Sequence, residues 1–396
     1  MFETLARLDA DPILGLMAAF RADRNPHKID LGVGVYKDSA GNTPVMAAVK
    51  QAESRLLANQ DTKSYVGPAG DARYNELVAQ LLLGERLSTT LQERRCTFQV
   101  PGGCGGLRLA AEFVNKARPD ARIWVSDPTW PNHVPLLGAA GLTIESYPYY
   151  DYQQHEIRFD EMLRALATAS DKDLLLLHGC CHNPCGADLS RDQWQSVRDL
   201  ALEKGLTVMI DVAYQGLGDG LEDDMYGTRL LADALPELMV VSSCSKNFGL
   251  YRERVGALTV ICQSDSQRQV AASQLAAITR GIYSMPPDHG AAIVREILDD
   301  AGLRADWDVE LAAMRDRING LRALLADRLL QAGANADFRF IEREKGMFSF
   351  LGISVDQVKL LVERYSIYLV NSGRINIAGI NEDNIDYLVD SLVAVL

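Results

Sequence analysis

The stretch VVSSCSKNFGLYRER at residues 240–254 decides how this chain is read. A short apolar run around Val240 and Val241 has strand character. It then releases one lysine, Lys246, among small hydroxyl residues, with Arg254 eight positions on. An amine beside an apolar strand end is easily desolvated, and desolvation lowers its pKa. Lys246 is therefore a candidate for an imine with an aldehyde cofactor. Ser243 and Arg254 suit a phosphate, one through a hydroxyl and the other through a bidentate fork. Taken alone, one lysine in a chain with 40 Lys and Arg residues reads more readily as a solvated loop residue. The rest of the sequence has to decide.

Around this stretch, short apolar segments alternate with amphipathic helices, which points to an α/β fold with a mostly parallel sheet covered on both faces. Strands are expected at 122–126, 174–178, 206–210, 239–242 and 257–262. A helix is expected from Ser190, where Ser190 and Gln193 have capping-box spacing and Gly205 ends the pattern. Further on, Trp307, Leu311, Met314, Ile318, Leu321 and Leu325 mark one apolar face of a long helix. Strand-like stretches at 338–341 and 347–350, with helices around 354–364 and 381–396, then suggest a smaller α+β domain. The boundary between the two domains is expected inside the long helix near residue 312.

With 396 residues, the chain has room for two domains or one large domain with a lobe attached. Apolar residues make up 47% and charged residues 23%, as in soluble globular proteins. The net charge of −13 argues against nucleic acid as a partner, because phosphate backbones need a basic footprint. No run of about twenty apolar residues suggests a membrane span, and the first residues lack a signal-peptide pattern. Seven cysteines, an odd number without framework spacing, read as reduced thiols in a cytoplasmic protein.

In an open α/β sheet, ligands bind outside the carboxyl ends of the strands. Four expected strands release unusual polar residues there: DPTWPNH at 127–133, HGCCHNP at 178–184, DVAY at 211–214 and SCSK at 243–246. Asp211 is suited to keep a ring nitrogen protonated and so make the ring an electron sink. Asn183 and Tyr214 can donate hydrogen bonds to a ring oxygen, and Trp130 offers a face for stacking. The turn PGGCGG at 101–106, ahead of a helical pattern, can present backbone N–H groups to a phosphate. Each element also has a plain reading. The glycine turn matches no nucleotide fingerprint, Trp130 fits a core, and Asp211 could cap a helix. Asp127-Pro128 and Asn183-Pro184 fit turns or cis bonds. A metal site built from His178, Cys180, Cys181, His182 and Cys185 is disfavoured, because closed zinc sites use two well-separated ligand pairs.

Together these residues carry a family pattern. SCSKNFGLYRERVG at 243–256 resembles the lysine motif of class I pyridoxal-phosphate aminotransferases. HGCCHNP, DVAYQG at 211–216, SGRINIAG at 372–379, DPILGL at 11–16 and LGVGVY at 31–36 resemble its aspartate and aromatic-amino-acid subgroup. The resemblance covers the whole chain in order. It implies the transferase fold of that family, with an N-terminal arm (1–15), a large cofactor-binding domain (45–312) and a small domain (16–44 with 313–396). It also implies a homodimer with sites at the subunit interface. Lys246 then holds pyridoxal 5'-phosphate, Asp211 pairs with its ring nitrogen, and His133 supports Asp211 from behind. Asn183 and Tyr214 contact the phenolic oxygen and Trp130 stacks on the ring. The phosphate falls to Gly103, Cys104, Ser243 and Arg254, with Tyr65 of the second copy. Arg374 is implied for the substrate α-carboxylate and Arg280 of the second copy for a distal one. Gly34 stands at the substrate entrance, and Ile13, Val35 and Lys37 line the segment that closes. The implied activity is ping-pong transfer of an amino group between aspartate or aromatic amino acids and 2-oxoglutarate.

The chain departs from that pattern at Cys104 and Cys185, where the family usually has threonine, and at Ser64 and Met285, where the aspartate enzymes usually have asparagine. Val35, Lys37 and Thr43 match the aspartate enzymes. Arg280 favours dicarboxylates, whereas reduced polarity around it favours aromatic rings. Decarboxylation or elimination on the same fold, and a non-catalytic cofactor-binding sensor, are the alternatives. The sensor is disfavoured by the lack of a DNA-binding module.

Overall fold

Seven strands form the central sheet of the computed structural model, which describes residues 2–7 and 12–396. In chain order they are β1 (Arg95–Pro101), β2 (Arg122–Asp127), β3 (Thr143–Pro148), β4 (Leu174–His178), β5 (Thr207–Val212), β6 (Leu238–Ser243) and β7 (Val255–Ile261). Across the sheet they lie in the order β1-β7-β6-β5-β4-β2-β3. β7 runs antiparallel to both neighbours, and every other pairing is parallel. The mostly parallel α/β sheet expected from the sequence is thus present. Its strands carry the continuous apolar runs that a sheet covered on both faces requires. Leu174 to Leu177 of β4 and all of β7 are buried.

Four helices matter for the site: α1 (Gly102–Ala117), α2 (Arg191–Lys204), α3 (Asp265–Ile282) and α4 (Ala301–Gln331). The capping box at the start of α2 forms as its sequence spacing predicts, and Gly205 closes that helix in the left-handed conformation at φ 65°. The apolar face of α4 is buried from Trp307 to Leu325, and the helix runs unbroken through residue 312. Trp307 donates its indole N–H to the Asn247 carbonyl at 2.7 Å, and its ring stacks on Phe248 at 4.4 Å. The long helix therefore braces the loop that carries Lys246. Trp307→Ala removes that stack and opens a cavity, with an expected cost of about 3–5 kcal/mol. An unchanged urea midpoint in that variant would show that the brace contributes nothing.

The strand Ile29–Asp30 pairs in parallel with Ile367–Tyr368, which ties the N-terminal segment to the C-terminal part of the chain. Phe348–Phe350 pairs antiparallel with Arg374–Asn376. The strand expected at 338–341 does not form, and Phe340–Arg343 is a short helix instead. The buried Arg322 guanidinium accounts for the difference. It donates to the carbonyl of Ile341 at 3.0 Å and also to Gly346, so this backbone is satisfied without a neighbouring strand. His155 stacks on Phe340 at 3.5 Å on the other side. The last helix begins at Ile385 rather than near 381, because Asn381 and Asn384 each cap the other's backbone N–H in a turn ahead of it. β5 extends to Val212, so Asp211 lies within the strand and not beyond it. Among the described residues no helix is long and apolar enough to cross a membrane. All seven cysteines are free thiols. Asp11 of the 11–16 motif lies outside the described residues, as do residues 1 and 8–10 of the expected arm.

Candidate active site

β4, β5 and β6 are parallel neighbours, so their carboxyl ends share one edge of the sheet. A cavity of about 230 Å³ opens there. Its walls are Gly103 and Cys104 at the start of α1, Trp130 after β2, and His178, Cys180 and Asn183 from β4 and its loop. Asp211 and Tyr214 come from β5, and Ser243, Ser245, Lys246, Tyr251 and Arg254 from β6 and the segment after it. A larger groove of about 690 Å³ lies at the opposite ends of the strands, against Leu174, Thr207 and Leu238. None of the residues singled out by sequence as site residues lines that groove, so the smaller cavity is the candidate site.

Asp211 is buried and meets His133 Nε2 at 3.0 Å. Behind it, His133 Nδ1 pairs with Thr129 Oγ1 at 2.7 Å, and the same hydroxyl reaches His178 Nε2 at 3.2 Å. Burial pushes the Asp211 carboxyl upward. The hydrogen bond from His133, with the nearby Lys246 amine, outweighs burial and holds the carboxyl below its usual range. Burial takes the His178 imidazole down to about 3, with the charge of His133 acting the same way, so this ring stays neutral. The result is a fixed anion at the cavity floor, oriented by a buried histidine.

Lys246 is half-buried, with Nζ 4.6 Å from the centre of the Tyr214 ring. Burial lowers its pKa and Arg254 adds to that, while Asp211 and Cys104 oppose it. Burial raises the Tyr214 hydroxyl well above its usual value, so it stays protonated and accepts from Asn183 Nδ2 at 3.5 Å. Arg374 is buried beside them. It donates to Asn183 Oδ1 at 3.4 Å and to the Gly32 carbonyl at 2.9 Å, and it lies 4.3 Å over the Phe348 ring. Its Nε has no partner among the described residues. That buried donor marks a place for an acceptor. Gly34 faces the same ring, and a Cβ there would come within 2.8 Å of Phe348.

The other end of the cavity suits a phosphate. Gly102 has φ +69°, and a Cβ there would lie 2.5 Å from Arg254 Nη2, so only glycine lets the start of α1 approach that guanidinium. The first N–H groups of α1 lack helical partners. Ser243 Oγ donates to Ser245 Oγ at 3.0 Å, and Arg254 donates one N–H to the Tyr251 carbonyl. Trp130, which lines the cavity, meets the His133 ring edge-on at 5.2 Å. An aldehyde-bearing ring with a phosphate arm fits this set: an amine, a carboxylate, a flat ring and a helix start with an arginine.

Other residues singled out by sequence lie elsewhere. Tyr65 is 91% exposed. Arg280 is exposed near the end of α3, bonded to Ser284. Neither lines this cavity, and neither does Ile13 in the helix Pro12–Ala22. Lys37 is paired with Asp30 Oδ2 at 3.1 Å, and the Val35 carbonyl accepts from Asn376 Nδ2 at 2.8 Å. Both peptide bonds Asp127-Pro128 and Asn183-Pro184 are cis. Residues the sequence reading did not assign include Thr129, Ser245, Tyr251 and Phe348. Ser245 and Tyr251 sit inside the lysine motif, and their place there was the available signal. Among the described residues the one group of possible metal ligands is Cys180, Cys181 and Asp224. The Asp224 carboxylate is already taken by the N–H groups of Gly216, Gly218 and Asp219.

Comparison with known proteins places the chain in a family. The aminotransferase class I and II family matches residues 26–392. The aspartate aminotransferase of Escherichia coli (strain K12) is 47% identical over 396 residues, covering 100% of both chains. The aromatic-amino-acid aminotransferase of Paracoccus denitrificans is 46% identical over 385 residues, 97% of each chain. The solved structure of the aromatic-amino-acid aminotransferase from Burkholderia pseudomallei, covalently bound to pyridoxal phosphate, superposes with a TM-score of 0.98 at 41% identity. That match covers 100% of this chain and 99% of the other. The chain belongs to the aminotransferase class I and II family.

Proposed function

We propose that this chain is a pyridoxal-phosphate transaminase that moves amino groups between aspartate or aromatic amino acids and 2-oxoglutarate. One observation carries the reading: the Lys246 amine, poised over Tyr214, shares a cavity with a carboxylate held by a buried histidine. When bound, pyridoxal phosphate supplies an aldehyde that condenses with amines and a protonated ring that accepts the electron pair of a broken Cα–H bond. Asp211, kept anionic by His133, holds the proton on the ring nitrogen. Asn183 and Tyr214 would donate to the phenolic oxygen, Trp130 would cover one ring face, and Gly103, Cys104, Ser243 and Arg254 would hold the phosphate. Lys246 Nζ would hold the cofactor's aldehyde carbon and, as a free amine, would take the substrate's Cα proton. Arg374 fixes the α-carboxylate so that the Cα–H bond faces Lys246.

The exposure of Tyr65 and Arg280 on a single chain supports a homodimer in which each reaches the other copy's site. The pairing of Ile29–Asp30 with Ile367–Tyr368 supports a small domain of residues 16–44 and 313–396. Closure of that domain, with Ile13, Val35 and Lys37 along its edge, excludes water and orients the substrate.

Arg280 sets the donor choice in this reading, against Ser64, Cys104 and Met285. Arg280→Ala is expected to cut kcat/KM for aspartate about 100-fold by removing a charge-assisted pair, while phenylalanine loses under about threefold. Equal losses for both donors would take Arg280 out of the distal-carboxylate role. A comparison of aspartate, tyrosine and phenylalanine with 2-oxoglutarate as acceptor tests the balance. A wide lead for aspartate means Arg280 governs the pocket. Aromatic donors equal or ahead mean that Ser64, Cys104 and Met285 have retuned it.

A further inference from the structure

Cys104 stands apart from the other cysteines. Six of the seven are buried, whereas Cys104 is half-buried and lines the cavity. It sits in the first turn of α1, where backbone N–H groups have no helical partner. Asn132 Nδ2 donates to its sulfur at 3.7 Å. Arg254 and Lys246 line the same small space as Cys104. The Lys246 amine makes no hydrogen bond among the described residues and faces the Tyr214 ring. The cradle is thus built for an anion, and its one unburied sulfur lies within it.

We propose that Cys104 is a cofactor-gated modification site. While the cofactor's phosphate fills the cradle the thiol is covered. After the cofactor leaves, a small hydroperoxide oxidises the thiol and so obstructs reloading. This rests on the pyridoxal-phosphate reading of the same cavity. In the reaction the thiolate attacks one peroxide oxygen, an S–O bond forms and the O–O bond breaks. The departing hydroxide or alkoxide carries off the electron pair and takes a proton from solvent. Sulfur is oxidised by two electrons to the sulfenic acid and the hydroperoxide is reduced. In a cavity of about 230 Å³ lined by Cys104, the added oxygen narrows the space left for the phosphate. A thiol reductant reverses the change, which makes it a switch on cofactor uptake. A threonine at this position, as the family usually has, offers no such chemistry.

The test treats the full chain, with and without bound pyridoxal phosphate, with hydrogen peroxide. Sulfenic acid is trapped with dimedone and its position read by fragment mass spectrometry. Cys104 is expected to be labelled at least fivefold faster in the cofactor-free chain, ahead of the other six cysteines. The peroxide-treated cofactor-free chain is expected to regain the bound-cofactor absorption band slowly, and a thiol reductant restores the rate. Cys104→Ser, compared with its own untreated sample, is expected to reload at an unchanged rate after peroxide. A ratio below fivefold, labelling mainly at another cysteine, or an equal reloading defect in Cys104→Ser overturns the proposal. An untreated chain that never takes up pyridoxal phosphate overturns the functional reading itself, and this is read from the absorption band before peroxide is added.

Discussion

Lys246→Ala is expected to lower turnover by about 10⁴-fold or more and to abolish the absorption band of the lysine-bound cofactor. Two losses combine. The variant has no amine to anchor the aldehyde, and no base at the position that receives the Cα proton, where general acid–base catalysis alone contributes about 10²–10⁴-fold. Burial lowers the amine's pKa, which favours the neutral form that such a role needs. The amine lies 4.6 Å from the centre of the Tyr214 ring and makes no ion pair among the described residues. Truncation should therefore leave the fold intact, and circular dichroism and the urea midpoint provide the control. Turnover within tenfold of the parent, in a folded variant, would reject the mechanism.

Asp211→Asn is expected to cost about 10²–10³-fold in kcat/KM with little change in stability. The amide is isosteric and can still accept from His133, so the variant removes charge rather than shape. A neutral partner no longer holds the proton on a ring nitrogen. A loss of about 3–4 kcal/mol in transition-state stabilisation corresponds to that rate factor. The pH dependence of the cofactor spectrum should move as well, because the carboxylate that Asp211 contributes stays ionised below the usual carboxylate range. A loss smaller than tenfold, with an unshifted spectrum, would mean that the ring is neutralised by some other group. His133 acts through Asp211, so its replacement by alanine should shift the same spectrum in the same direction, but less.

Much of the site could be read from the sequence because its parts are local. DPTWPNH, HGCCHNP, DVAY and SCSK each begin in the last residues of one strand, and a parallel sheet brings those ends to one edge without any long-range knowledge. Lys246, Asp211, Asn183, Tyr214, Ser243 and Arg254 meet in one cavity for that reason. What was not legible depends on distant pairs. Thr129 bridges His133 and His178, which lies 49 residues away. Phe348 underlies both Gly34 and Arg374, and no periodicity announces it. The false strand at 338–341 has the same origin. Its apolar pattern is ambiguous by itself, and Arg322 resolves it by taking the Ile341 carbonyl from another element. Cys104 was visible from sequence as a departure, but its status as the one unburied thiol needed the fold.

The most direct test of the account is a single half-reaction. Purified chain loaded with pyridoxal phosphate is mixed with aspartate, and separately with tyrosine, in the absence of any oxo acid. The account predicts one equivalent of the corresponding oxo acid per site, loss of the cofactor's aldehyde absorption, and full recovery of that absorption on adding 2-oxoglutarate. Continuous turnover without an acceptor, or release of carbon dioxide in place of an oxo acid, would contradict it and assign this cavity a different reaction.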